Sequence, residues 1–132
     1  MSAAIELQAA LVAALAAAPG IAGVAPVFDG APPRQPFPYI VLGDGLSFDW
    51  STKTERGREH RVALTLWDEA GRTARLQALI AAAETAVAAL PPALPGHRIA
   101  SMWLVRTRLA RPATGPWAGL VEHRIRTVEV QP

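Results

Sequence analysis

The stretch LSFDWSTKTERGREHRVALTLW, Leu46–Trp67, decides how this chain is read. Both of its ends alternate apolar and polar residues, the period of a half-buried strand. Charged residues crowd the middle from Asp49 to Glu59, beside Trp50 and His60. The pattern predicts a long hairpin with a polar tongue. On the strand from about Glu59 to Trp67, Val62, Leu64 and Leu66 face one way. Arg61, Ala63, Thr65 and Trp67 face the other. On the strand that begins near Tyr39, Ile40, Leu42, Leu46, Phe48 and Trp50 share one phase. Gly43-Asp44-Gly45 interrupts them and is expected to form a bend or bulge.

Working outward, the clearest helical signal follows the hairpin. Leu76, Leu79, Ile80, Ala83, Val87 and Leu90 recur at helical spacing within residues 72–90, and Pro91-Pro92 stop the helix. A first helix is expected over residues 3–18, with Ser2 as N-cap. Leu7, Leu11 and Leu15, with Ile5 and Val12 beside them, form its apolar stripe, and Ala18-Pro19-Gly20 end it. A short extended piece at Val27–Phe28 leads into DGAPPRQPFP, whose four prolines lack the amide donors of a central strand.

Two further strands are expected. Residues 98–109 place Ile99, Trp103, Val105 and Leu109 on one face and Met102 and Leu104 on the other. Residues 120–130 carry Val121 and Ile125 in one phase, then Val128 and Val130 in the opposite phase. ARPATGPWAG joins these strands as a second hairpin loop tipped by Trp117. The order α-β-ββ-α-ββ gives an α+β fold. It has an antiparallel sheet of four to five strands with two main helices on one face. Two helices cover one face only, so apolar residues on the other, Trp67 and Trp103 among them, are expected to meet another subunit.

The 132 residues suit one domain, with 51% apolar residues to form a core. The apolar N-terminal region has no basic leader and carries Glu6, and Pro19, Gly20, Gly23 and Pro26 break it before it reaches spanning length, so no membrane association is expected. The absence of cysteine removes thiolate chemistry, disulfides and Cys-based zinc sites, and fits synthesis in a reducing cytoplasm. The net charge of +2 hides a bias: the bases are twelve arginines and Lys53. Arginine pairs with carboxylates and phosphates through a planar fork and stacks on aromatic rings.

No residue pattern points to catalysis or to a cofactor. Asp49, Ser51 and His60 are the types of a hydrolytic triad, but neither a nucleophile elbow nor a Gly-rich oxyanion loop accompanies them. Asp29, Asp44 and Asp49 lie in Gly- and Pro-containing loops where Asp serves turns. His60, His97 and His123 lack metal-pair spacing, and there is no P-loop or dinucleotide fingerprint. Asp68-Glu69 is read as negative charge favouring a helix N-terminus. Arg106, Arg108, Arg124 and Arg126 alternate on the last two strands and form one basic stripe if those strands pair. The stripe suits phosphate contact, a solvated face, or ion pairs across a subunit boundary with Glu122 or Glu129.

Several segments together resemble a known family. VFDGAPPRQPFPYIVLGDG, DWSTKTERGREHRVALTLWDEAGR, the Ala-rich helix, LPGHRI and the closing Arg-rich hairpin are similar to tail-completion or tail-terminator proteins of long-tailed phages and phage-derived gene transfer agents. The matching features are FPY, DWST followed by G-x-E-H, a tryptophan at the strand end, and GHR. Many relatives have Ser where this chain has Asp68. The resemblance implies a non-enzymatic virion protein at the head-proximal end of the tail, made in the bacterial cytoplasm. Six copies would form a ring that ends the tail tube and meets the head connector, with DNA passing through the lumen. It brings no catalytic residue, metal or cofactor. In this light the tongue is expected to be an assembly arm. Trp50, Arg56, Arg58 and Trp117, with Arg106, Arg108, Arg124 and Arg126, are the candidate interface residues. A small Arg-rich nucleic-acid-binding domain is the alternative.

Overall fold

The computed structural model describes residues 1–30, 32, 34–43, 45–110 and 113–130. Helix α1 spans Ala3–Ala17 and α2 spans Thr73–Ala88. The strands are β1 (Val27–Asp29), β2 (Tyr39–Leu42), β3 (Leu46–Asp49), β4 (Gly57–Asp68), β5 (His97–Ala110) and β6 (Trp117–Glu129). They form one six-stranded sheet in the order β1-β2-β4-β6-β5, with β3 also pairing with β4. All pairs are antiparallel except β1 with β2. The fold is α+β as expected. The sixth strand arises because the strand expected from Tyr39 onward is two.

That division is a register event. Leu42 faces Leu64 and Leu46 faces Arg61, so four steps on one side answer three on the other. The extra residue reverses the side-chain phase. Ile40 and Leu42 point to the helices and are buried, whereas Leu46 and Phe48 point to the open face, 64% and 48% exposed. The single shared phase expected from Ile40 to Trp50 is therefore corrected. Asp44, at the interruption, lies outside the described residues.

The core lies between both helices and one face of the sheet. Leu7, Leu11 and Leu15 of α1 and Leu76, Leu79, Ile80, Ala83 and Val87 of α2 close over Ile40, Leu64, Leu66, Val121 and Ile125. Each such Leu or Ile stabilises the fold by roughly 1.5–3 kcal/mol through burial. Ser2 caps α1, accepting the Ile5 amide at 3.2 Å, as its residue type predicts. Ile5 itself is exposed and falls outside the buried stripe. Gly119 lets α2 settle on β6, because a Cβ there would stand 2.7 Å from Ile80 Cδ1.

Strand β5 departs from its expected phase. Irregularities between Ile99 and Ser101 and between Leu104 and Arg106 shift its register against β6. Met102, Leu104 and Leu109 thereby align with Ile125, His123 and Gly119 beneath α2, and Trp103 turns to the open face opposite Arg124. Trp103 does not share a face with Ile99 and Leu109, because each bulge consumes one residue. In β6 the phase change toward Val128 needs no bulge. His123 and Thr127 occupy the helix-side positions beside Val121 and Ile125, and Val128 is buried on the other face.

Asp68 is buried at the end of β4, where Arg75 Nε and Nη2 donate to its two carboxylate oxygens at 2.8 and 2.6 Å. It also accepts the Glu69 amide at 2.7 Å. Asp68 thus holds β4 to the first turn of α2 through a forked ion pair, a more specific bond than the charge–dipole effect expected of it.

Candidate functional site: the open sheet face

The hairpin register arranges the open face in rows. Across β3, β4, β6 and β5 one row reads Leu46, Arg61, Arg124, Trp103. The next reads Phe48, Glu59, Arg126, Ser101. Above them Ala63, Glu122 and Arg106 align. Glu59 is the hub. Arg126 Nε donates to Glu59 Oε1 at 3.0 Å, while Arg124 and Arg61 approach Oε2 at 3.6 and 3.8 Å. The Arg126 bond, reinforced by the charges of Arg124, Arg126 and Arg61, outweighs desolvation and holds the Glu59 carboxyl below its usual range.

Two indoles complete the cluster. The Arg126 guanidinium lies between them, 4.8 Å from the Trp50 ring centre and 5.1 Å from that of Trp103. Arg124 lies 5.3 Å from the Trp103 centre. Such contacts favour a flat, weakly hydrated cation over an aromatic face. Trp50 is positioned by the tongue. Its amide donates to the Gly57 carbonyl at 2.9 Å, and Gly57 has no Cβ because one would stand 2.5 Å from the Trp50 carbonyl oxygen.

The tongue is compact. Ser51 Oγ accepts the Gly57 amide and Thr52 Oγ1 accepts the Glu55 amide, each at 3.1 Å. The Arg56 carbonyl accepts the Glu129 amide at 2.8 Å, and Glu55 lies 3.6 Å from Arg98. Residues 50–56 are therefore stitched to the ends of β5 and β6, and β4 begins at Gly57, earlier than the expected Glu59. Arg56 and Arg58 are exposed, Arg56 in the turn and Arg58 in β4 opposite Asp49.

The structure brings Trp50, Arg106, Arg108, Arg124 and Arg126 to one face and separates Trp117 from them. Trp117 is the first residue of β6, opposite Asp68 and packed against the core, and not a loop tip. Its phase, shared with Val121 and Ile125, turns it toward the helices. Three of the four stripe arginines lie near carboxylates within the chain. Arg106 Nε donates to Glu122 at 3.1 Å, and Arg124 and Arg126 meet Glu59. Arg108 makes no ion pair among the described residues. Sequence reading missed Glu59 and Arg61. The signal was present in Glu59-His60-Arg61, where two charges flank a buried position at period two.

The hydrolytic grouping does not assemble. Ser51 Oγ donates to Asp49 at 2.7 Å, but His60 is buried on the helix side of the sheet, opposite Ile125. Its Nδ1 meets Ser47 Oγ at 3.1 Å and its Nε2 meets Thr127 Oγ1 at 2.9 Å, so two hydroxyls occupy the imidazole and no carboxylate orients it. Two clefts, of about 500 and 610 Å³, lie beside α1, and His60 lines both. Among the described residues no three His, Asp or Glu side chains gather as a metal site. Asp29 ends strand β1, opposite Leu42, instead of lying in a loop, and accepts a hydrogen bond from Gln8 of α1; Asp44 lies outside the described residues.

No curated protein matches the sequence. Among solved structures, a chain of the virion of a native gene transfer agent particle superposes with a TM-score of 0.78. It is 26% identical, and the match covers 98% of each chain. The pattern of the Tail completion protein gp17 family matches residues 9–128, from the middle of α1 to the penultimate residue of β6, and the chain belongs to that family.

Proposed function

We propose that this protein is a structural virion component that forms a hexameric ring. The ring closes the head-proximal end of a tail tube, contacts the tube and the head connector, and leaves a passage for DNA. The observation that carries this reading is the family match over residues 9–128, joined to the likeness to a gene transfer agent virion chain along the whole length. The open face supports it, since Leu46, Phe48, Trp50 and Trp103 expose apolar surface beside a charged cluster. Exposed aromatic and arginine side chains on one face are the composition of an interface core. The closed tongue carrying Arg56 and Arg58 presents a second surface, as a head-to-tail ring contact requires. Imaging of assembled particles is expected to place sixfold density for this chain between tube and head. Threefold or twelvefold density there, or absence of the chain from particles, overturns the reading.

The role is non-enzymatic in this reading. His60→Ala and Ser51→Ala are expected to leave particle function intact wherever the hairpin still folds. Ester or peptide hydrolysis by the wild type, lost in both variants, overturns that. A nucleic-acid grip is disfavoured because Glu122 and Glu59 already accept hydrogen bonds from Arg106 and Arg126, two of the four stripe arginines. Sub-micromolar binding of duplex DNA at near-physiological salt, lost when two of these arginines become glutamine, would restore it.

A further inference from the structure

Arg61 and Arg124 stand directly opposite each other on adjacent antiparallel strands. Like charges in that relationship repel and destabilise a sheet. The local carboxylate does not resolve the conflict, because Glu59 is shared among three guanidinium groups and its one hydrogen bond to them goes to Arg126. Arg61 Nε and Arg124 Nε are both buried, and neither has an acceptor among the described residues. A buried donor without an acceptor is costly, and two side by side require a reason. Their row ends in apolar side chains on both sides, Leu46 on β3 and Trp103 on β5, the latter 37% exposed.

We propose that Arg61 and Arg124 are a clamp for a carboxylate presented by a neighbouring protein in the assembled particle, with Leu46 and Trp103 as its apolar flanks. The occupant is an Asp or Glu side chain set between apolar residues. The cluster of Arg61, Arg124 and Arg126 against Glu59 carries two positive charges in excess, and one further carboxylate can meet the exposed parts of Arg61 and Arg124, whose side chains are 35% and 29% accessible and which Glu59 leaves without a hydrogen bond. A nucleic-acid strand fits less well. Phosphate tracking needs a succession of free cations, whereas the neighbours Arg126 and Arg106 are already bonded to Glu59 and Glu122. Base stacking needs open aromatic faces, and arginines lie against the indoles of Trp50 and Trp103. The clamp rests on the tail reading for the place where its partner is found.

The test compares the full-length wild type with Arg61→Gln/Arg124→Gln. Purified, the double variant is expected to melt no lower than the wild type, since it relieves a repulsion and two unpaired donors. A loss on the order of 5 °C or more overturns the clamp and makes the pair a structural element. Each protein is then sedimented with purified tails assembled without this chain. The wild type is expected to co-sediment, and the double variant to bind about tenfold more weakly or worse, the effect of deleting charges that pair across an interface. Equal co-sedimentation overturns the clamp and leaves the tail reading standing, whereas a wild type that does not bind tails overturns both. Tight binding of duplex DNA by the wild type, abolished in the double variant, overturns the carboxylate assignment in favour of phosphate.

Discussion

Glu6 of α1 and His97 of β5 meet at 2.9 Å across 91 residues of chain, and the same Glu6 oxygen accepts the Gly96 amide at 2.9 Å. Glu6 is buried, so this one carboxylate fastens the first helix to the start of the fifth strand. GHR, a feature of the sequence resemblance, thus owes two of its residues to a structural contact. A Cβ at Gly96 would stand 3.2 Å from Glu6 Oε2.

The Glu6 contact predicts acid sensitivity. The His97 hydrogen bond first, and the Gly96 amide second, hold the Glu6 carboxyl below its ordinary 4.5 despite burial, which acts the other way. A carboxyl depressed in the folded state stabilises the fold fully above its unfolded value, and that contribution is lost as pH falls through the folded value. The melting temperature of the wild type is expected to fall below pH 4.5 more steeply than that of Glu6→Gln, which should already melt lower at neutral pH. Parallel pH profiles for the two proteins would show that the contact contributes nothing.

A second acid response begins at higher pH. Burial holds His60 below its ordinary 6.5, helped by the charges of Arg58 and His97. Burial does the same to His123, against the opposing charge of Glu84. The unfolded chain then binds protons at a pH where the folded chain does not. Stability is complete above 6.5 and declines as pH falls from 6.5 toward the folded values. Melts of His60→Gln/His123→Gln are expected to be flatter than the wild type between pH 6.5 and the onset of the Glu6 response. Unchanged steepness would assign the decline to other groups.

Helix α2 separates core from surface cleanly. Leu79 is 1% exposed, and Leu79→Ala is expected to cost about 2–5 kcal/mol as a cavity. Arg72 forms an exposed pair with Glu69 at 3.3 Å, and Arg72→Ala is expected to cost less than about 0.5 kcal/mol. Chemical denaturation of both variants measures the difference, and equal losses would mean that the buried face of α2 is misassigned.

Gly119 is a steric requirement of the α2–β6 contact. In Gly119→Ala the new methyl meets Ile80 Cδ1 at 2.7 Å and Cγ1 at 3.0 Å, so α2 must shift or Ile80 must leave its rotamer. The expected cost is about 1–3 kcal/mol. Recovery of most of that loss in Gly119→Ala/Ile80→Val, read by the same denaturant melts, would assign the cost to this contact.

The sequence alone carried the α2 stripe, the Ser2 cap, the long hairpin and the α+β class, because each rests on periodicity or on chemistry between near neighbours in the chain. It also placed Val62, Leu64 and Leu66 on one face of β4, where the period runs unbroken. Its errors in strand phase fall where the period is interrupted. One extra residue between Leu42 and Leu46 turned Leu46 and Phe48 to the open face, and two bulges in β5 did the same to Trp103. A bulge leaves little trace in composition, and its effect on every later side chain appears only when the partner strand fixes the register. Register also decided that Arg61 stands opposite Arg124 and that Glu59 meets Arg126. The sharing of one carboxylate among three arginines is a property of two strands more than 60 residues apart, and only the tertiary structure brings them together.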